Sequence, residues 1–313
     1  MRHFIATAFV VLALAACQPA TAGTIINFDT VMGSFDVELY DSRTPLTAAN
    51  FLAYANSGAY ANTFIHRSMP GFVEQGGGYG VSGNYITLVP QQAPVVNEPG
   101  ISNTRGTIAM AKLGGDPNSA TSQWFFNLVD NTFLDDPSNN GGYTAFGQVL
   151  GNGMDVVDAI AALPVYDLSG FLPAFKDLPL TGPYFDANHL VMIRSVSVVT
   201  PLPGDATRNG IVDMADYVSW FGGFGKTGAL WGQGDFDGDG IVDMKDYVIW
   251  FSHYGQAGSS QSASASTALG ADSAGGTGAS GGDGASGGSV PEPATFALLI
   301  AGAAAVLRRR RRA

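Results

Sequence analysis

The stretch "TFIHRSMPGFVEQGGG", residues 63–78, places one arginine, Arg67, between an aromatic, apolar run and a glycine-rich turn, with Gln75 close behind. No Ser-His-Asp set, cysteine nucleophile or carboxylate pair accompanies it. The parts on offer are a fixed cation, apolar surface and a side-chain amide. Such a set suits a reaction in which no proton moves.

The flanking sequence predicts a mainly β domain. Residues 24–40, "TIINFDTVMGSFDVELY", read as two strands around a turn at Met32-Gly33. In the second, Phe35, Val37 and Leu39 alternate with Asp36, Glu38 and Tyr40, the pattern of a half-buried strand. A helix follows: Thr44 can cap it, Pro45 fits its first position and Gly58 lies beyond its end. Its apolar face is drawn from Leu46, Ala49, Phe51, Leu52 and Ala53. A second helix is predicted over 154–163, with Val156, Ile160 and Leu163 on one face and Pro164 as its stop. The stretch between is rich in glycine, asparagine and short aromatic strands, and "LVMIRSVSVV" (190–199) supplies the last strand. Many short strands with two helices predict a β-barrel with helices closing its ends.

After "TPLPG" the texture changes. "GDATRNGIVDMADYVSWFGGFG" (204–225) recurs as "GDFDGDGIVDMKDYVIWFSHYG" (234–255). The second copy sets Asp235, Asp237, Asp239, Ile241, Asp243 and Asp246 at the ligand positions of a twelve-residue calcium loop, with Gly240 at its turn. The first copy has Asp205, Asn209, Ile211, Asp213 and Asp216, but Thr207 replaces one carboxylate, which predicts weaker binding. Calcium is thus the expected ion, as a structural partner of this module. Beyond it, residues 257–289 form a Gly/Ser/Ala-rich spacer for which no fold is predicted.

Both termini read as targeting segments. Residues 1–22 carry Arg2, the apolar run "FIATAFVVLALAA" and then "CQPATAG", a secretory signal. Cleavage after "ATA" (20–22) competes with a lipoprotein reading of "LAAC" (14–17), which would lipidate Cys17, the one cysteine of the chain. At the other end, Val290-Pro291-Glu292-Pro293 precedes the uncharged segment 295–307 and five arginines, 308–312. The formal net charge is −11, and without Arg2 and the arginine tail it is about −17. A surface this acidic repels phosphate backbones, so nucleic acid is not an expected partner.

The reaction that fits 63–78 is rotation about a peptide bond to proline. Its barrier, roughly 18–20 kcal/mol, is amide resonance, so neither acid, base nor nucleophile is required. A donor aimed at the prolyl nitrogen favours only the twisted state, which is how binding becomes rate. His66 is read as a structural imidazole, and Glu74 and Glu98 as structural carboxylates. In "SQWFF", Gln123 and Phe125 share one face and leave Trp124 and Phe126 for the other.

Four blocks in order, "FIHRSMPGFVEQGG" (64–77), "NTRGTIAMAK" (103–112), "SATSQWFFNLVDNTFLD" (119–135) and "YTAFGQV" (143–149), resemble the cyclophilin family of peptidyl-prolyl isomerases. The resemblance covers nearly all of 24–199. It implies an eight-stranded antiparallel β-barrel capped by two helices, with an outer groove for X-Pro-containing polypeptides and no cofactor for catalysis. Arg67 matches the catalytic arginine, and Gln75 and Gln123 match the glutamines that hold it and the peptide. Phe72, Val73, Phe125 and Leu134 match the proline pocket, and Ala111 and Lys112 the stretch whose backbone pairs with substrate. Phe133 and Tyr143 stand at substrate-binding positions where eukaryotic relatives carry tryptophan and histidine, which puts tight cyclosporin binding in doubt. The 204–255 repeat resembles a dockerin domain, a small all-α module of paired calcium loop-helix units, which implies a cohesin-like partner. Residues 290–313 resemble the PEP-CTERM sorting signal, which implies export, transient membrane contact and processing by an exosortase. The expected order is therefore a signal peptide (1–22), an isomerase domain (23–200), a dockerin-like module (201–256), a spacer (257–289) and a sorting signal (290–313). The competing reading keeps the fold as a proline-peptide-binding scaffold within an extracellular assembly.

Overall fold

The computed structural model describes residues 23–258, residue 84 apart. The signal peptide with both of its cleavage readings, nearly all of the spacer and the sorting signal lie outside the described residues.

Strands β1 (Ile25–Thr30) and β2 (Gly33–Leu39) form the expected hairpin, with Phe28 opposite Phe35. Helix α1 (Pro45–Asn56) follows, and then β3 (Thr63–Phe64), β4 (Arg67–Met69), β5 (Val73–Gly76), β6 (Tyr79–Ser82) and β7 (Tyr85–Leu88). β8 (Thr107–Met110), β9 (Trp124–Asn127) and β10 (Ala145–Val149) precede helix α2 (Gly153–Ala161). The short pair β11 (Val165–Tyr166) and β12 (Leu178–Pro179) leads to β13 (Met192–Val198).

The main sheet is antiparallel and runs β4-β5-β9-β8-β10-β2-β1-β13-β3-β6-β7. β3 and β4 belong to one extended run, 63–69, that changes partners midway. Ile65 N donates to Val191 O on the β13 side (3.1 Å), and His66 N donates to Gln75 O on the β5 side (3.1 Å). That run therefore closes the sheet on itself, and with it counted once the ring has eight strands. The β6–β7 hairpin is an addition that the sequence reading did not separate. Phe28, Phe51, Trp124, Phe126 and Phe146 fill the interior with edge-on and tilted ring contacts. The glycine run of 76–78 has a cause in this packing: a Cβ at Gly76 would stand 2.6 Å from the Trp124 ring.

Two details of α1 differ from the expectation. Thr44 Oγ1 turns back onto Tyr40 O (3.2 Å) and does not cap the helix. Glu98, from a distant loop, accepts from Leu46 N (3.2 Å), Thr47 N (2.8 Å) and Thr47 Oγ1 (2.8 Å) and so takes up the orphan amides. The buried face is Thr47, Ala48, Phe51, Tyr54 and Ala55, while Leu46 is 52% exposed. Apolar residues occur all round this helix, so periodicity could not select the face. α2 ends before Leu163; Val157 and Ile160 are buried in the core, and Val156 and Leu163 are partly buried against it.

The repeat forms two loop-helix units, with α3 at Met214–Gly223 and α4 at Met244–His253. Asp213 and Asp243 cap the helices, and Asp216 and Asp246 return bonds to the cap amides. The units hold each other reciprocally: Trp220 Nε1 donates to Asp243 O (2.9 Å) and Trp250 Nε1 to Asp213 O (3.0 Å).

This module sits against the barrel. Ile25 and Leu150 share its apolar core with Trp220, Trp231, Phe236 and Trp250. Trp231 N donates to both oxygens of Glu38 (3.0 and 2.9 Å), while its indole Nε1 donates to Asp205 O (2.8 Å). Arg208 pairs with Asp36 through Nε (2.8 Å) and Nη2 (2.6 Å). The polar face of β2, which alternation assigns to water, is therefore an interdomain surface, and Glu38 is buried.

Candidate active site

Cross-strand register brings the expected groove residues into one row. Arg67 lies opposite Gln75, Gln75 opposite Phe125, Phe125 opposite Ala109, and Ala109 opposite Ala145. Directly paired residues point to one side of a sheet, so this row lies on one face. The neighbours of Phe125 in the chain, Trp124 and Phe126, belong to the barrel interior, so the row faces outward. Val73, Ala109, Phe125, Leu134 and Ala145 form a separate apolar cluster there, edged by Phe72, Ala111 and Tyr143.

Arg67 stands at one end of this cluster, 35% exposed. Its Nη1 donates to Gln75 Oε1 (3.3 Å), and Gln75 Nε2 donates to Gln123 Oε1 (2.9 Å). Nη2 points to the Met69 sulfur and Nε faces Asp177 Oδ2 at 3.9 Å. Phe72 stacks on Phe133, with ring centres 5.7 Å apart, and Phe125 meets Tyr143 edge-on at 5.9 Å. Phe133 is exposed and Leu134 is buried. Lys112 Nζ donates to Asn140 O (2.8 Å) and Gly142 O (2.5 Å) and lies over the Tyr143 ring at 4.5 Å. Burial lowers its pKa. Ala111 N donates to Gln123 O (2.9 Å) and is spoken for inside the sheet.

Two titratable groups beside the row, His66 and Glu74, are buried. His66 is buried against Tyr79, and burial, reinforced by the Arg67 charge, lowers its pKa to about 3, so it is neutral near pH 7. Glu74 lies in the inward row of Ser68 and Phe126, and burial raises its carboxyl well above the usual range.

An amide network that sequence reasoning missed lies beside this apolar cluster. Asn131 Nδ2 donates to Phe72 O (2.9 Å) and Asn127 Oδ1 (2.8 Å). Asn127 Nδ2 donates to Thr107 Oγ1 (2.8 Å) and Asn103 Oδ1 (3.2 Å), and Asn103 Nδ2 to Asp135 Oδ1 (2.8 Å) and Tyr143 O (3.0 Å). Buried amides satisfied on several sides fix backbone rather than merely fill space. The segments carrying Phe72, Leu134 and Tyr143 are tied together in this way. The asparagines stand in the quoted blocks, but no periodicity marks them.

Residues 25–174 match the family described as cyclophilin type peptidyl-prolyl cis-trans isomerase/CLD. A peptidyl-prolyl cis-trans isomerase of Acinetobacter baylyi is 42% identical over 147 residues, 46% of this chain and 76% of that protein. The chain belongs to the cyclophilin family. It is a cyclophilin-type peptidyl-prolyl cis-trans isomerase, and two further relatives agree. Peptidyl-prolyl cis-trans isomerase A of Dickeya dadantii is 40% identical over 165 residues (51% of this chain, 84% of that one). Peptidyl-prolyl cis-trans isomerase B of Escherichia coli is 40% identical over 141 residues (44% and 83%). Residues 289–312 match the PEP-CTERM protein-sorting motif, which suggests export with a membrane-anchored tail before processing.

Outside the cyclophilin domain, the carboxylates of Asp235, Asp237 and Asp239 converge, each offering an oxygen within 4.8 Å of the others. Asp235 also accepts from Gly238 N and Gly240 N (both 2.9 Å), and burial pushes its carboxyl up to about 6. Asp246 accepts from Phe236, Asp237 and Asp243 amides, and Asp243 caps α4. Lys245 Nζ stands 2.6 Å from Asp239 Oδ2. In the first loop Asp205 accepts from Asn209 N (3.2 Å) and Gly210 N (2.9 Å), while Asp216 accepts from Asp213 N (2.8 Å) and from Thr207 N and Oγ1 (2.9 Å each). Ile211 and Ile241 each form an isolated bridge, with Ala257 and Thr227.

Proposed function

We propose that the outer groove twists X-Pro bonds of client polypeptides by transition-state stabilisation from Arg67. The observation that carries this reading is the row Arg67–Gln75–Phe125 on the barrel's outer face, where a fixed cation borders an apolar cluster. A proline ring seated among Phe72, Val73, Phe125 and Leu134 would bring its nitrogen toward the guanidinium. As the bond twists, the nitrogen lone pair localises and becomes an acceptor that the planar ground state lacks, so the arginine donates preferentially to the twisted state. Gln75 and Gln123 hold the guanidinium in place beforehand. Phe133 and Tyr143 would wall the flanking residues, and the segment through Ala111 and Lys112, just past β8, would lie along the peptide's path. Arg67→Ala in the intact chain should lower cis–trans exchange of a short X-Pro peptide by about a hundredfold or more. Near-normal turnover in folded Arg67→Ala protein would end the assignment.

We further propose that the 201–256 module is dockerin-like and holds calcium. Three converging carboxylates, one of them desolvated and of raised pKa, are an all-oxygen donor set that a hard divalent cation neutralises. Asp235, Asp237 and Asp239 would hold the ion in the second loop, with the Ile241 carbonyl, Asp243 and Asp246 completing it. Asp205, Asn209, Ile211, Asp213 and Asp216 form the weaker first site. A cohesin-like partner would bind the module, and an exosortase-type enzyme would process the tail. Calorimetric titration of the intact chain with calcium tests the metal reading, and absence of binding would remove it.

A further inference from the structure

An arginine has five N–H groups in a rigid plane. For Arg67, Nη1 gives one hydrogen to Gln75, Nη2 gives one to the Met69 sulfur, and the Nε edge faces Asp177. One N–H on each η nitrogen is left for substrate. The first two contacts come from β4 and β5, the strands that carry the groove. The third comes from elsewhere.

Asp177 belongs to the segment between α2 and β13, whose Tyr166, Phe175, Leu178 and Leu180 form an apolar cluster with Phe64 of β3. The segment is fastened beside the arginine: Asp177 O accepts from Ser68 N at 2.8 Å, and β12 begins at the next residue. Its carboxylate is only 13% exposed and cannot swing freely into solvent. At 3.9 Å it attracts the Nε edge without forming a short hydrogen bond. The family match spans residues 25–174, and Asp177 lies just beyond it.

We infer that Asp177 is a positioning residue for the isomerisation: it fixes the Nε edge of Arg67 so that the two unengaged N–H groups stay aimed into the groove. This rests on the reading of Arg67 as the transition-state donor. Without the carboxylate the guanidinium is held through its η nitrogens alone and can tilt about them, and a small misalignment of a preorganised donor is felt in turnover more than in binding.

The test uses the full chain and a short X-Pro peptide. Asp177→Asn keeps the shape and removes the charge. It should lower kcat about fivefold with KM changed less than about twofold, and Asp177→Glu should recover part of the loss. In an Arg67→Ala background Asp177→Asn should have no further effect, because the residue acts only through the arginine. Unchanged kcat in Asp177→Asn overturns the inference, and so does an equal loss in the Arg67→Ala background, which would reveal a merely structural role. The reading of Arg67 fails separately, by turnover surviving in Arg67→Ala.

Discussion

Glu38 gives the most direct handle on how the two modules are joined. Its carboxylate lies under the module, accepting from Trp231 N, and burial raises its pKa from 4.5 to about 8. The amides of Trp231 and Gly232 oppose that rise, and the charges of Asp235 and Asp41 add to it. A carboxyl whose pKa is higher in the folded state binds more protons there than in the unfolded chain, so its contribution to stability falls as pH rises. The contribution is intact below about pH 4.5 and is lost progressively up to about pH 8. Between pH 5 and pH 8 the loss is on the order of 3 kcal/mol. Glu38→Gln keeps the carbonyl that receives Trp231 N–H and cannot ionise. Urea unfolding followed by tryptophan emission should therefore give a wild-type minus Glu38→Gln difference that moves by several kcal/mol against the wild type over that range. A difference that stayed within about 1 kcal/mol from pH 5 to pH 8 would refute the placement of an ionisable carboxyl in this interface.

Turnover should be flat from about pH 6 to pH 8, because His66 is already neutral and stays so above about pH 3; a bell-shaped kcat profile that disappeared in His66→Ala would contradict this. Glu98→Ala should cost about 1–2 kcal/mol in urea unfolding, since the first turn of α1 loses its acceptor, and a cost near zero would mean that water replaces the carboxylate without loss. Asp235→Ala should weaken calcium binding more than Asp205→Ala, because the second loop brings three carboxylates together and the first has Thr207 in place of one. Calorimetric titration with the order reversed would locate the stronger site in the first loop.

The parts of the fold governed by local chemistry were legible in the sequence. Pro45 and Gly58 bracket α1, and the alternation of Phe35, Val37 and Leu39 marks the inward side of β2. The groove residues were readable for a different reason, since Arg67, Gln75, Gln123 and Phe125 stand in blocks that resemble a family. What stayed hidden depends on distant partners. Glu98 reaches α1 across the chain, displacing Thr44 from the cap, and Glu38 looked solvent-facing until a second module covered it. The closing role of 63–69 could not be read either, because two residues with different neighbours on each side leave no periodic trace. Asp177 sits in a stretch whose pattern gives no hint that it folds back on β4.

The change of partners within 63–69 bears on how the enzyme is lost as well as how it is built. Ile65 and His66 donate to opposite sides of the seam, so neither bond can be broken by peeling one strand from an edge. Amides of this kind exchange with solvent only when a whole cooperative unit opens. Arg67 follows them directly in the chain. Its place in the outer row opposite Gln75 should consequently persist until the barrel as a whole gives way, and deuterium uptake at residues 65 and 66 should rise in step with the disappearance of turnover.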